Sequence, residues 1–139
     1  MLAEEIGAET TPGELLADYR RRLAAVVDDP SAVAAATGLA ESRLAAAADG
    51  DPSDPPLTVA EAAAVLATDD RYPDAEAIEL EVRDALLLEM STAVLDVEAV
   101  AAAVDGLDAT AVHQKIEGRR DMTLSEYARV KHAVASGGP

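Results

Sequence analysis

The chain has no cysteine, no tryptophan, no phenylalanine and only three tyrosines in 139 residues. Without cysteine there is no disulfide framework and no thiolate chemistry. Aromatic and β-branched strand formers are scarce, while alanine, the best helix former, supplies much of an apolar content of 50%. That balance predicts helices and no sheet. A core of Ala, Leu and Val gains little per residue, at about 25 cal/mol per Å² buried, so it needs close helix–helix contact. Lysine is also rare: Lys115 and Lys131 stand against nine arginines. Long apolar runs are missing, because Asp or Glu interrupts each one before the roughly 18 residues that a bilayer requires. No membrane span is expected. Met1 to Glu5 is acidic where a signal peptide would be basic, which predicts a cytoplasmic protein.

Negative charge is what the chain has in excess, with 27 acidic and 11 basic residues for a net of −16. Such a charge repels itself at low ionic strength. In molar salt the Debye length is about 3 Å and the repulsion is largely screened. Many acids, few lysines and small apolar residues together suggest a protein adapted to high salt. The apolar content argues against disorder.

Residues 1–11 carry little pattern and are assigned as a tail. Thr11, Pro12 and Glu14 mark a helix start. Leu15, Leu16, Tyr19, Leu23 and Val26 then recur at helical spacing, predicting a helix over 12–27. Short helices follow over 30–37 and 40–49, separated by Gly38-Leu39 and stopped by Gly50. Asp51 to Pro56 reads as an acidic, Pro-rich loop. Thr58 with Glu61 forms a capping box opening a fourth helix. The order then repeats: a long helix over 74–95, a short one capped by Asp96, Gly106-Leu107, a helix over 108–117 stopped by Gly118, and a capping box of Thr123 and Glu126 opening the last helix. Residues 136–139 read as a frayed end.

An internal repeat underlies this order. Ala32-Val33-Ala34-Ala35-Ala36 matches Ala99-Val100-Ala101-Ala102-Ala103 at a shift of 67. Gly38-Leu39, Leu44 and Asp49-Gly50 match Gly106-Leu107, Val112 and Glu117-Gly118 at 68, and Thr58-Val59-Ala60-Glu61 matches Thr123-Leu124-Ser125-Glu126 at 65. The changes of shift fall in loops, as a duplication would leave them. Units of 12–70 and 71–135 follow.

Each unit resembles the helix-turn-helix of lambda-repressor and Cro-like domains. The resemblance rests on Ala34, Gly38, Leu39, Leu44 and Gly50 in the first unit, and on Ala102, Gly106, Leu107, Val112 and Gly118 in the second. Ile116-Glu117-Gly118-Arg119-Arg120 is also similar to an ending common in that family. A small residue lets two helices cross closely, the glycine turns the chain, and the aliphatics lock the second helix on the first. The fold expected is all-α, with two tandem four-helix units packed as one pseudo-twofold body. The whole chain is also similar to small acidic proteins of halophilic archaea with no established function.

The resemblance implies a second helix that enters the major groove of double-stranded DNA. In the first unit only Ser42 and Arg43 suit such contacts, beside repelling carboxylates such as Glu41. In the second, Thr110, His113 and Gln114 fall at base or phosphate positions, and Lys115, Arg119 and Arg120 within reach of the backbone. Residues 108–135 carry five basic and four acidic side chains, a net of +1, while the remainder carries six and 23, a net of −17. The sequence reading is therefore a transcription-regulator-like DNA contact made by the second unit. The alternative is a non-enzymatic interaction or dimerisation module, whose partner is another protein or a second copy and whose mark would be leucines such as Leu87 and Leu88 left exposed.

Other constellations carry less. Arg20, Arg21 and Arg22 fan around one helix, as a solvated face paired with nearby carboxylates or as a phosphate clamp. His113 and His132 lie on different predicted helices, with no cysteine near, so no metal site is expected. Asp49 to Asp54 has a calcium-loop composition, but the sixth and twelfth places hold Asp54 and Ala60 instead of Gly and Glu. No phosphate-binding glycine loop, catalytic group or cofactor site is expected.

Overall fold

In the computed structural model the described residues are 2, 4, 6, 7, 9–49 and 57–137. The predicted loop of 51–56, the stop at Gly50, most of the calcium-like stretch and the chain's last two residues lie outside them. Among the described residues there are eight helices: α1 (Pro12–Val26), α2 (Pro30–Thr37), α3 (Glu41–Asp49), α4 (Val59–Leu66), α5 (Ala75–Thr92), α6 (Val97–Ala103), α7 (Ala109–Ile116) and α8 (Leu124–Ala135). The all-α expectation holds, with boundaries within a few residues of the sequence reading.

The helix starts follow from capping chemistry. Thr11, Asp29, Asp74, Asp96 and Asp108 each accept from a backbone N–H in the first turn. Both Thr-x-x-Glu boxes form: Thr58 and Thr123 accept from the N–H of Glu61 and Glu126, whose carboxylates accept from the threonine N–H in return. Gly38 and Gly106 both take the left-handed conformation, at φ 78° and 85°, that turns the chain between two short helices.

The two boxes also meet. Val59 N–H donates to the Met122 carbonyl at 2.8 Å, and Leu124 N–H donates to the Leu57 carbonyl at 2.9 Å, so Thr58 and Thr123 face each other in an antiparallel bridge. The long helices cross this seam. α1 packs on α3, α4 and α8, and α5 packs on α4 and α8. Tyr19 of α1 and Tyr127 of α8 stack at 5.8 Å in the shared core. Leu2, in the stretch that sequence pattern leaves as a tail, is buried, and its carbonyl accepts from the Tyr127 hydroxyl at 2.8 Å. Burial pushes that hydroxyl's pKa well above its ordinary value.

Candidate functional site

The residues predicted to touch DNA divide into two groups. Thr110 and His113 are exposed on α7 and Gln114 is half-buried there. Arg119 and Arg120 follow in the turn to α8, where both backbone N–H groups donate to the Gln114 carbonyl. Ser42 is exposed on α3. Arg43 and Lys115, however, are turned inward. Arg43 clasps both carboxylate oxygens of Glu61, with one bond at 2.9 Å. Lys115 donates to both oxygens of Glu126, at 2.6 and 2.7 Å, with its side chain only 10% exposed.

These two ion pairs share one design. In each, the glutamate that closes a capping box is held by a cation from the helix before it. Proximity in sequence does not show this, because the partners lie 18 and 11 residues apart. Arg43 holds the Glu61 carboxyl below its ordinary pKa. Burial pushes the Glu126 carboxyl up, but the Lys115 and Thr123 bonds outweigh it, and the net direction is down. A carboxyl lowered on folding stabilises the fold above its unfolded pKa, about 4.3 for glutamate, and loses that contribution as pH falls through the folded value. In molar KCl, where general repulsion is screened, the thermal midpoint is expected to stay level from neutrality to about pH 5 and to fall below about pH 4.5. Circular dichroism across a pH series checks this, and a midpoint that rises on acidification contradicts it.

The exposed cations are also partly neutralised. His113 Nε2 and Arg119 converge on the two oxygens of Glu117, at 3.0 and 2.8 Å. Arg120 makes no ion pair among the described residues. On α1, Arg21 and Arg22 both pair with Asp18, and Arg22 also pairs with Glu4 at 2.8 Å. Two of the three arginines of the run are therefore paired with carboxylates. Lys131, counted in the basic zone of the sequence, has no exposed side-chain surface. It donates to both oxygens of Glu89 at 3.2 Å and lies 5.8 Å from the Tyr127 ring centroid. Its helical spacing with Leu124, Tyr127, Ala128 and Val134 was the signal for an inward position.

α7 does not pack closely on α5, and a cleft of about 70 Å³ opens between them. Apolar Val82, Leu86 and Ile116 line it, with Arg83 and Arg120 offset by Glu79 and Asp121. Gly118, at φ 78°, closes one side so tightly that a Cβ there would lie 2.6 Å from the Arg83 guanidinium. Among the described residues, no group of three or more His, Asp or Glu side chains is placed to hold a metal ion. No helix among them is long and apolar enough to cross a membrane.

The outer face of α5 is of another kind. Leu80, Leu87 and Leu88 are exposed there, Leu88 by 68%. Just past the helix end, Val94 is 89% exposed and holds a left-handed φ of 56°. A β-branched residue in that region is strained.

The molecule so described is an all-helical protein with two ion-pair-braced capping boxes at its centre. It belongs to a family of unknown function (DUF5791), whose model matches residues 15–137. No curated protein and no solved structure matches the chain.

Proposed function

We propose that this protein is a non-catalytic interaction module built on a degenerate scaffold of two tandem helix-turn-helix-like units, with its docking face on α5. The duplication is supported by the bridge at Thr58 and Thr123, which pairs residues that also match in sequence. It is supported again by the stripes Leu15-Tyr19-Leu23 and Ile78-Val82-Leu86, buried at a shift of 63. The same shift carries the observation behind the function. Leu80, Leu87 and Leu88 correspond to Ala17, Ala24 and Ala25 on α1, and all six are exposed. The scaffold is built with alanine at these places, so leucine there serves something outside the chain. The net charge of −16 suits work in molar salt, where apolar contacts gain and charge contacts fade.

The test is a photo-crosslinking residue introduced at position 88 or, as control, at position 21 on α1, in cells. Abundant protein adducts from position 88 and few from 21 are expected. Equal yields from both would count against α5 as a docking face.

A DNA contact by the second unit is the second reading, favoured by the exposure of Thr110, His113, Arg119 and Arg120. It is weakened by Lys115 and Lys131 being consumed inside the fold. Anisotropy on genomic fragments in molar KCl tests it: binding that a Gln114→Ala/Arg119→Ala/Arg120→Ala variant loses would restore it as the main function.

A further inference from the structure

We propose that the cleft between α5 and α7 binds a small zwitterion with a short aliphatic chain, the chemistry of a free aliphatic amino acid. The site is separate from the exposed leucines of α5 and stands or falls independently of them. Val82, Leu86 and Ile116 give it an apolar lining. Its volume of about 70 Å³ is about half that of a cavity of roughly 150 Å³ that takes up a benzene ring, which leaves room for about three or four carbons. At the shift of 63 that aligns α1 with α5, the first unit has Tyr19 in place of Val82, and its α1 packs directly on α3. The second unit has the smaller side chain and an opening instead.

The rim carries charges of both signs that are left open. Seven of the chain's eleven cationic side chains pair with a carboxylate. Arg83 and Arg120 at the cleft do not, although Glu79 stands one turn before Arg83 on α5 and Asp121 follows Arg120. Glu79 and Asp121 line the same cleft and likewise make no ion pair. Lys115 also reaches the lining, but Glu126 holds it. In a chain of net charge −16 carboxylates are plentiful, so two arginines left open at one cleft depart from its pattern.

Two open cations beside two open anions sum to zero. A plain anion would be attracted by one set and repelled by the other, and so would a plain cation. A molecule with both charges complements all four groups. Its carboxylate accepts from the guanidinium groups, in the geometry that arginine suits best. Its ammonium donates to Glu79 and Asp121. Gly118 prepares the cationic end: its φ of 78° and missing side chain let the Arg83 guanidinium lie close over it, where a Cβ would stand 2.6 Å away. Arg83 is thus half-buried and held at the rim by packing, without a carboxylate to release before binding.

The experiment is isothermal titration calorimetry of the full chain in molar KCl with L-valine, isovalerate and isobutylamine. The three share a branched chain and carry both charges, the carboxylate alone and the ammonium alone. Valine is expected to bind in the millimolar range, and each single-charge analogue about tenfold more weakly or worse, the loss that follows from removing charge-assisted hydrogen bonds. Arg83→Gln/Arg120→Gln and Glu79→Gln/Asp121→Asn variants should each lose valine by a similar factor while circular dichroism shows them folded. Arg20→Gln, on α1 and outside the cleft, should bind as the wild type does.

An analogue that matches valine overturns the zwitterion and leaves a simple anion or cation site. Valine binding that survives both double variants lies elsewhere and overturns the cleft. No heat with valine, together with unmoved amide shifts from Ile116 to Met122, overturns the proposal outright. Should a double variant unfold, the analogue comparison on the wild type still decides.

Discussion

Replacing Glu89 by alanine is expected to destabilise the protein by about 3–5 kcal/mol, the cost typical of removing one member of a buried ion pair. Lys131 is fully enclosed, and both oxygens of Glu89 accept from its ammonium. Take the carboxylate away and the ammonium loses both of these bonds inside an enclosed site, without regaining water. The other half of the pair behaves differently. Lys131→Met removes the enclosed charge and keeps most of the volume but leaves the Glu89 carboxylate, 16% exposed, without this partner, so it is expected to cost less than Glu89→Ala. Only the double Lys131→Met/Glu89→Leu variant, which removes the whole pair, is expected to be neutral or to stabilise by about 1–4 kcal/mol. Urea unfolding in constant molar KCl reads all three variants. A Glu89→Ala cost below about 0.5 kcal/mol would mean that the pair is not desolvated as its burial implies.

Glu126→Ala is expected to cost about 2–3 kcal/mol, because it strands the nearly buried Lys115 ammonium and removes the acceptor of the Thr123 N–H together. Lys115→Ala should cost a similar amount. The double variant should then cost less than their sum, with a coupling of about 1–3 kcal/mol. The comparison separates two roles for Lys115. A phosphate ligand would leave stability unchanged on removal and lower DNA affinity; a brace for the capping box does the reverse. Independent, additive losses would contradict the brace.

Much of the fold was legible in the sequence because its signals are local. The Thr-x-x-Glu boxes, the Asp96 cap and the Gly-Leu turns each act within four residues, and each formed where the pattern placed it. The inner stripes of α1, α5 and α8 were legible for the same reason, since a helical period is a local property. What escaped was pairing across the chain. Arg43, Lys115 and Lys131 look like surface cations in a list of residues, and only the folded arrangement, which brings α3 to Glu61 of α4, α7 to Glu126 of α8 and α8 to Glu89 of α5, shows that carboxylates hold them. Leu2 escaped because a lone leucine has no period, and its place under Tyr127 is set by contacts more than a hundred residues away.

The site divides along the same line. Thr110, His113, Gln114, Arg119 and Arg120 were read as a group from spacing on and after one helix, and the structure leaves all of them exposed but Gln114, which is half-buried. Part of their charge is offset in the fold, since Glu117 pairs with Arg119 and also meets His113 Nε2, while Arg120 keeps its own. Of the α5 leucines, the sequence pointed to Leu87 and Leu88 as the ones whose exposure would mark an interaction face, but not to Leu80. Their exposure, and the matching alanines of α1, became visible once both helices were seen to bury equivalent stripes.

The central claim is that α5 is the working surface and α7 is largely structural. In-cell photo-crosslinking from position 88 on α5 and, in parallel, from position 113 on α7 tests it most directly. The account predicts abundant protein adducts from position 88 and no DNA adducts from position 113. DNA adducts from position 113, with few adducts from position 88, would contradict it.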